Sequence, residues 1–254
     1  MNVQINKKIL SLVLTMSVLL SGVTSSVAHA DTASSWTTKT VNGRSYKFDS
    51  EVWNCMSDSK NAVQAVAQVM TCDYMNAKAG YMGAQARLYD ANRQLRKSGD
   101  LVYNSRDCVN LYAYSPKATS TTTYFYAQSK IKLYNGNGYT TFTANESPNC
   151  KVKTAALSIE SNWEEAFGFT TFGKGGKRLS YGSGLQVNDM GDEPDLIEAV
   201  GVNNQSGYVK SDDLMIEAST PQEACQVVQK GAGSYSIPVY DLNGNVIDQF
   251  VVGR

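Results

Sequence analysis

Histidine is nearly absent from this chain: the one copy, His29, lies within the first thirty residues. From Asp31 onward no imidazole is present to take a serine proton or to stabilise a thiolate. Ordinary catalytic zinc sites lose their usual ligands for the same reason. Net charge is also lacking, since 23 Lys and Arg balance 23 Asp and Glu. A balanced chain has no electrostatic footprint for nucleic acid, which needs a clustered basic surface. After Leu20 no apolar run approaches the ~20 residues that span a bilayer. None of the five cysteines forms C-x-x-C, so a redox motif or zinc ribbon has no support.

What stands in front of these absences is an export signal. Lys7 and Lys8 precede an apolar stretch from Ile9 to Leu20, and small residues follow, ending in Ala28-His29-Ala30. This order predicts a secretory signal peptide over 1–30, cut between Ala30 and Asp31. Cleavage removes two lysines and no acid, which would leave a net charge of −2. The expected protein is secreted, with no membrane span after cleavage.

Fifteen tyrosines against seven phenylalanines, with abundant Thr, Ser, Asn and Gly, predict short strands joined by polar turns. An exported chain can keep disulfides. Cys55, Cys72, Cys108 and Cys150 are the candidates, in any of three pairings. Cys225 is left over, as a small apolar residue on an expected helix.

A weak repeat with an offset of 45 residues runs through the first half. It matches Tyr81 with Tyr126, Arg87 with Lys132, Leu88 with Leu133 and Tyr89 with Tyr134. Each copy reads as a strand, a turn and a second strand, with Asn135-Gly136 and Asn137-Gly138 suited to a tight hairpin. Two copies predict hairpins packed into one sandwich. Trp36 to Trp53 adds a hairpin turning at Asn42-Gly43. Asn61 to Tyr74 has helical spacing, but the repeat lays it over a strand-like segment, so a strand is preferred. The fold class expected is mainly β, with an antiparallel β-sandwich at 31–150 built from hairpin repeats. A Gly-rich connection at 151–184 follows, then a small α+β module with one short helix at 185–254. Within the connection, 155–167 reads as a short helix and Gly173 to Arg178 as a basic loop without phosphate-loop spacing.

The C-terminal part has the clearest punctuation. Leu196 to Val200 and Tyr208 to Lys210 read as a hairpin. Thr220-Pro221-Gln222-Glu223 is a capping box with proline at the first helical position. Ile237 to Asp241 and Val246 to Val252 pair about Asn243-Gly244, with Pro238 marking an edge strand. The runs Gly191 to Val202, Gly207 to Leu214, Thr220 to Ala224 and Ile237 to Phe250 resemble a C-terminal module of secreted Gram-positive proteins. Similar modules form the extracytoplasmic tail of some antirepressor-type membrane metallopeptidases of the beta-lactam sensor kind. The resemblance covers roughly the last 75 residues by eye. It implies no activity, because the peptidase's His-Glu-x-x-His motif is absent here. Gly207-Tyr208-Val209 with Asp213-Leu214 also resembles the closing strand of bacterial SH3-like domains. The first half more loosely resembles Tyr- and Asn-Gly-rich repeats of other exported proteins.

Several constellations bear on function. Asp189, Asp192, Glu193 and Asp195 offer hard oxygen ligands for calcium, but without EF-hand order. Asp241, Asn243, Asn245 and Asp248 form a second oxygen-rich loop that a hairpin turn explains. Glu164 and Glu165 beside Trp163 are a carboxylate pair of the kind glycosidases use. Tyr81, Tyr89, Tyr126 and Tyr134 are the candidate binding surface. The expectation is a secreted, non-enzymatic binding protein without cofactor. Its ligand would be a cell-envelope component, glycan or protein, and no nucleic acid. A carboxylate-based glycan hydrolase and a toxin- or bacteriocin-like factor are the alternatives. Two carboxyl groups facing one cleft would favour hydrolysis, and an exposed aromatic patch would favour binding.

Overall fold

Asn42 and Gly43 accept positive φ, 49° and 76°, and this sets the first hairpin. The computed structural model describes residues 32–54, 62–119, 124–151, 167–172, 176–186, 192–229 and 233–253. The signal segment with Ala30 and Asp31, Cys55, residues 155–166 of the expected helix with Trp163, Glu164 and Glu165, the loop residues 173–175, and Asp189 lie outside the described residues. After the short β1 (Thr32–Ala33), the hairpin joins β2 (Thr37–Val41) to β3 (Arg44–Asn54). Next comes β4 (Val63–Thr71), so the strand reading of this ambiguous segment holds.

The two repeat copies become β5 (Met82–Asp90) with β6 (Leu95–Ser98), and, after β7 (Val102–Tyr103) and β8 (Asn110–Tyr114), β9 (Tyr124–Tyr134) with β10 (Tyr139–Thr143). The copies pair with each other: β5 and β9 run antiparallel from Met82↔Leu133 to Asp90↔Phe125. The remaining strands are β11 (Cys150–Lys151), β12 (Gly168–Thr171), β13 (Arg178–Gly182), β14 (Leu196–Val200), β15 (Ser206–Lys210), β16 (Tyr235–Tyr240) and β17 (Val246–Val252). A 3-10 turn (Ser211–Leu214) and helix α1 (Pro221–Gln229) separate β15 from β16. Thr220 caps α1, its hydroxyl accepting the Glu223 N–H at 3.2 Å, while the Glu223 carboxylate accepts the Ser219 N–H at 2.9 Å.

The molecule is mainly β, with this one short α-helix among the described residues. Strands β1, β2, β3, β4 and β8 form a five-stranded sheet; the other twelve form a second sheet. The large core lies between the first sheet and the β5/β9 part of the second. Phe48, Val52, Ala65 and Val69 meet Ala84, Ala86, Leu88, Ile131 and Leu133, with large rings set against alanines. Burying Leu88 alone contributes ~2 kcal/mol. A second core gathers Tyr89, Leu95, Ile197, Val209, Val239 and Phe250.

Composition placed a division near residue 150, yet the second sheet runs across it. β6 pairs with both β14 and β17, parallel in each case. The 151–184 connection contributes the β12/β13 hairpin to the same sheet. Pro238 does not mark an edge: β16 lies between β15 and β17. The strand tolerates proline there because its ladder to β15 consists of the single pair Tyr208↔Tyr240, leaving Pro238 without a register partner on that side. Among the described residues no helix is long and apolar enough to cross a membrane.

Candidate functional site

Side chains alternate along β3. Phe48, Ser50 and Val52 enter the core, so Lys47, Asp49, Glu51 and Trp53 line the opposite, outer face. Across the sheet, Asp49 lies opposite Gln68 of β4, which lies opposite Tyr112 of β8. In the next row Glu51 faces Val66, which faces Tyr114. The Gln68 amide donates to the Tyr112 hydroxyl at 2.5 Å. The Trp53 indole N–H donates to the Glu51 carboxylate, and its ring packs edge-on against Tyr114, centroids 5.7 Å apart. The result is a face of alternating carboxylate, amide and aromatic groups.

Two exposed rings extend this face. The Lys47 ammonium sits 4.9 Å from the Trp36 ring centroid and 5.6 Å from that of Tyr74. Trp36 is 43% exposed and Tyr74 65%. Tyr74 has φ 57°, which a tyrosine adopts only when its surroundings hold it there. Its turn is held firmly: the Thr71 hydroxyl donates to the Met75 carbonyl at 2.9 Å, and the Met75 N–H donates to Asp73 at 3.0 Å. Arg44 fastens it from β3, donating to Asp73 at 3.2 Å and to the Asn76 carbonyl at 2.8 Å.

Asp49 is the chemically unusual member. It is only 2% exposed, and its Oδ1 has no hydrogen-bond partner. Burial pushes its carboxyl up to about 7, the neighbouring Glu51 adds to the rise, and Lys47 opposes it. Glu51 stands two residues along the same strand, which sets the two Cα atoms ~6.6 Å apart. The face therefore sets a carboxyl whose burial favours its protonated, donating form beside a Glu51 side chain that accepts from an indole.

The residues singled out from sequence lie elsewhere. Tyr81 and Tyr134 stack on each other with centroids 5.0 Å apart; Tyr89 is opposite Tyr126 in the β5/β9 register. Tyr81, Tyr126 and Tyr134 are half-buried. Tyr89 is fully buried in the second core and Tyr126 packs against it, so Tyr89 offers no surface to a ligand. The reason is that β5 is buried on both faces. Its outer face, which alternation assigned to solvent, is covered by the chain that follows β13.

The same covering explains the acidic loop. Glu193 accepts from Arg87 Nη1 at 2.7 Å and from Lys130 Nζ at 2.8 Å. Burial raises its carboxyl, but Arg87 and then Lys130 bring it below its ordinary value. Asp195 accepts the Ser180 N–H and hydroxyl, each at 2.8 Å. Asp192 is exposed. These are commitments to the fold, and no group of three or more potential metal-ligating side chains occurs among the described residues. In the second oxygen-rich loop, Asp241 accepts the N–H groups of Asn243 and Asn245, and Asp248 accepts that of Asn203. Among the described residues no disulfide joins Cys72, Cys108, Cys150 or Cys225.

The outer-face site was missed because Asp49-Ser50-Glu51 reads locally as a solvated acidic stretch. The available signal was the period-two series Lys47, Asp49, Glu51, Trp53 opposite buried Phe48 and Val52. Comparison of the chain with family models, curated proteins and solved structures finds no match.

Proposed function

We propose that this is an exported binding protein that holds a hydroxyl-rich glycan of the cell envelope on the outer face of its five-stranded sheet. One observation carries the reading: the buried, unpartnered Asp49 oxygen lies among Glu51, Gln68 and aromatic side chains. Sugar hydroxyls both donate and accept, and the apolar face of a sugar ring packs on Trp and Tyr. Acidic groups on this face, with Lys47 as its cation among the described residues, make it a poor match for phosphate-rich polymers and therefore for nucleic acid. In an oxidising compartment Cys72 and Cys108 are, among the described residues, the cysteines placed to bridge. The Thr71 N–H donates to the Val109 carbonyl at 3.0 Å, and continuing that antiparallel register sets Cys72 opposite Cys108. Opposed residues in such a ladder lie ~4.5–5.5 Å apart, within disulfide range.

A second reading is supported by the raised carboxyl of Asp49 standing two residues from Glu51 on one strand face. Asp49 would protonate the oxygen leaving a glycosidic bond. Glu51 would either attack the anomeric carbon or take a proton from the attacking water. The test is retention of the protein on purified cell wall and on a glycan array, with soluble products monitored. Saturable retention that Trp36→Ala weakens tenfold, without released fragments, supports binding. Released fragments that disappear in Asp49→Asn select hydrolysis. No retention on any glycan refutes both.

A further inference from the structure

A concavity of about 550 Å³ lies where the β5–β6 turn, the segment after β8 and the β14–β15 turn meet, away from the outer face. Phe125, Val200 and Val202 line it together with Arg96, Lys97 and Lys117. A cleft of this size is a common setting for a small ligand.

Its charge arrangement is built by the backbone. Leu88 of β5 pairs with Lys97 of β6, whereas the adjacent Tyr89 pairs with Leu95. Arg96 is therefore an extra residue, a bulge. Consecutive side chains on a regular strand diverge, but a bulge re-aims one of them, and both Arg96 and Lys97 line the cleft. Lys117 enters from the segment that follows β8. The one carboxylate lining the cleft, Asp90, is largely engaged in its own turn. Its Oδ1 accepts the N–H groups of Asn92 at 2.9 Å and Gln94 at 3.2 Å, and its Oδ2 meets Arg96 only at 3.4 Å. Lys97 has no carboxylate partner among the described residues. Burial, and then the adjacent Arg96, depress its ammonium. Like charges brought together and partly desolvated are costly, and an anion between them relieves the cost.

We propose that this cleft binds a phosphate monoester group carried on a small polar molecule. A phosphomonoester bears ~1.5–2 negative charges near neutrality, enough to neutralise both Arg96 and Lys97, whereas a single carboxylate balances one. The exposed Asn92, Thr119 and Asn204 at the cleft supply neutral groups for a polar carrier.

The experiment titrates the full chain with inorganic phosphate and with glycerol 3-phosphate by calorimetry and amide NMR. Ionic strength is held constant with chloride, and acetate serves as the single-charge control. The expected result is saturable binding of both phosphates at least tenfold tighter than acetate, with shifts at residues 96–97 and 200–204. Lys97→Gln is expected to weaken it at least tenfold and Lys39→Gln, on β2, to leave it unchanged. Arg96→Gln replaces Lys97→Gln should the latter fail to fold. Absence of saturation, or equal weakening by Lys39→Gln, would overturn the proposal. Loss of glycan retention on the outer face would leave these results unaffected, because the two sites share no residue.

Discussion

The sandwich has two polar strand faces that solve opposite problems. On β5 and β9, Gln85, Arg87, Gln128 and Lys130 lie on a face covered by later parts of the chain, and the charges there find charges: Arg87 and Lys130 share Glu193, although Arg87 Nη2 and Gln128 Oε1 are left without a hydrogen-bond partner. Gln85 donates to the carbonyls of Gly99 and Leu214. On β3 and β4, Asp49 is as deeply covered, yet an oxygen of its carboxyl is left without a partner. A buried polar group that the fold satisfies is there to position elements. One that the fold leaves unsatisfied costs stability, and at Asp49, where the group is a carboxyl without a paired cation, the proposed ligand would offset that cost.

That contrast is broken most severely at the satisfied face. Glu193→Gln leaves Arg87 and Lys130 without their anion and is expected to cost ~3–5 kcal/mol, read as a lower urea midpoint. At the unsatisfied face the sign reverses. The folded value of Asp49, about 7, lies above the ~3.9 of an unfolded aspartate. The stability this residue permits is therefore full below pH ~4 and is lost as pH rises toward 7. Asp49→Asn is expected to stabilise the protein by ~1–3 kcal/mol at pH 8 and to leave it unchanged at pH 3.5, measured by denaturant unfolding at both pH values. Smaller still is Thr220→Ala, which removes the α1 cap and should cost ~1 kcal/mol, visible as a fall in melting temperature. Smallest is Trp36→Ala: an exposed ring should change stability by less than ~0.5 kcal/mol while reducing glycan retention tenfold.

The comparison also shows what the sequence can disclose. Turn and cap chemistry is local, and it was legible: the Asn42-Gly43 hairpin, the Thr220 cap and the Asn243-Gly244 turn all form as their residues dictate. The mainly β class followed from the same punctuation. Which face of a strand meets solvent is not local. Arg87 and Tyr89 occupy positions that alternation assigns to a surface, and later chain buries them: Glu193 meets Arg87, while Leu185, Ile197 and Phe250 share a core with Tyr89. Asp49 is hidden from sequence for the same reason, since an Asp-Ser-Glu triplet carries no mark of its tertiary cover. Pro238 misled because β15 diverges from β16 instead of pairing along its length. The Arg96 bulge depends on how β6 divides its pairing among β5, β14 and β17.

The central claim is that the outer face of β3, β4 and β8 is the ligand surface. Its most direct test follows the indole N–H signals of Trp36 and Trp53 during titration with soluble cell-wall oligosaccharides. Saturable shifts at both indoles, abolished by Asp49→Ala with the fold intact, are the predicted result. Binding that leaves both indoles unmoved and shifts residues elsewhere would contradict it.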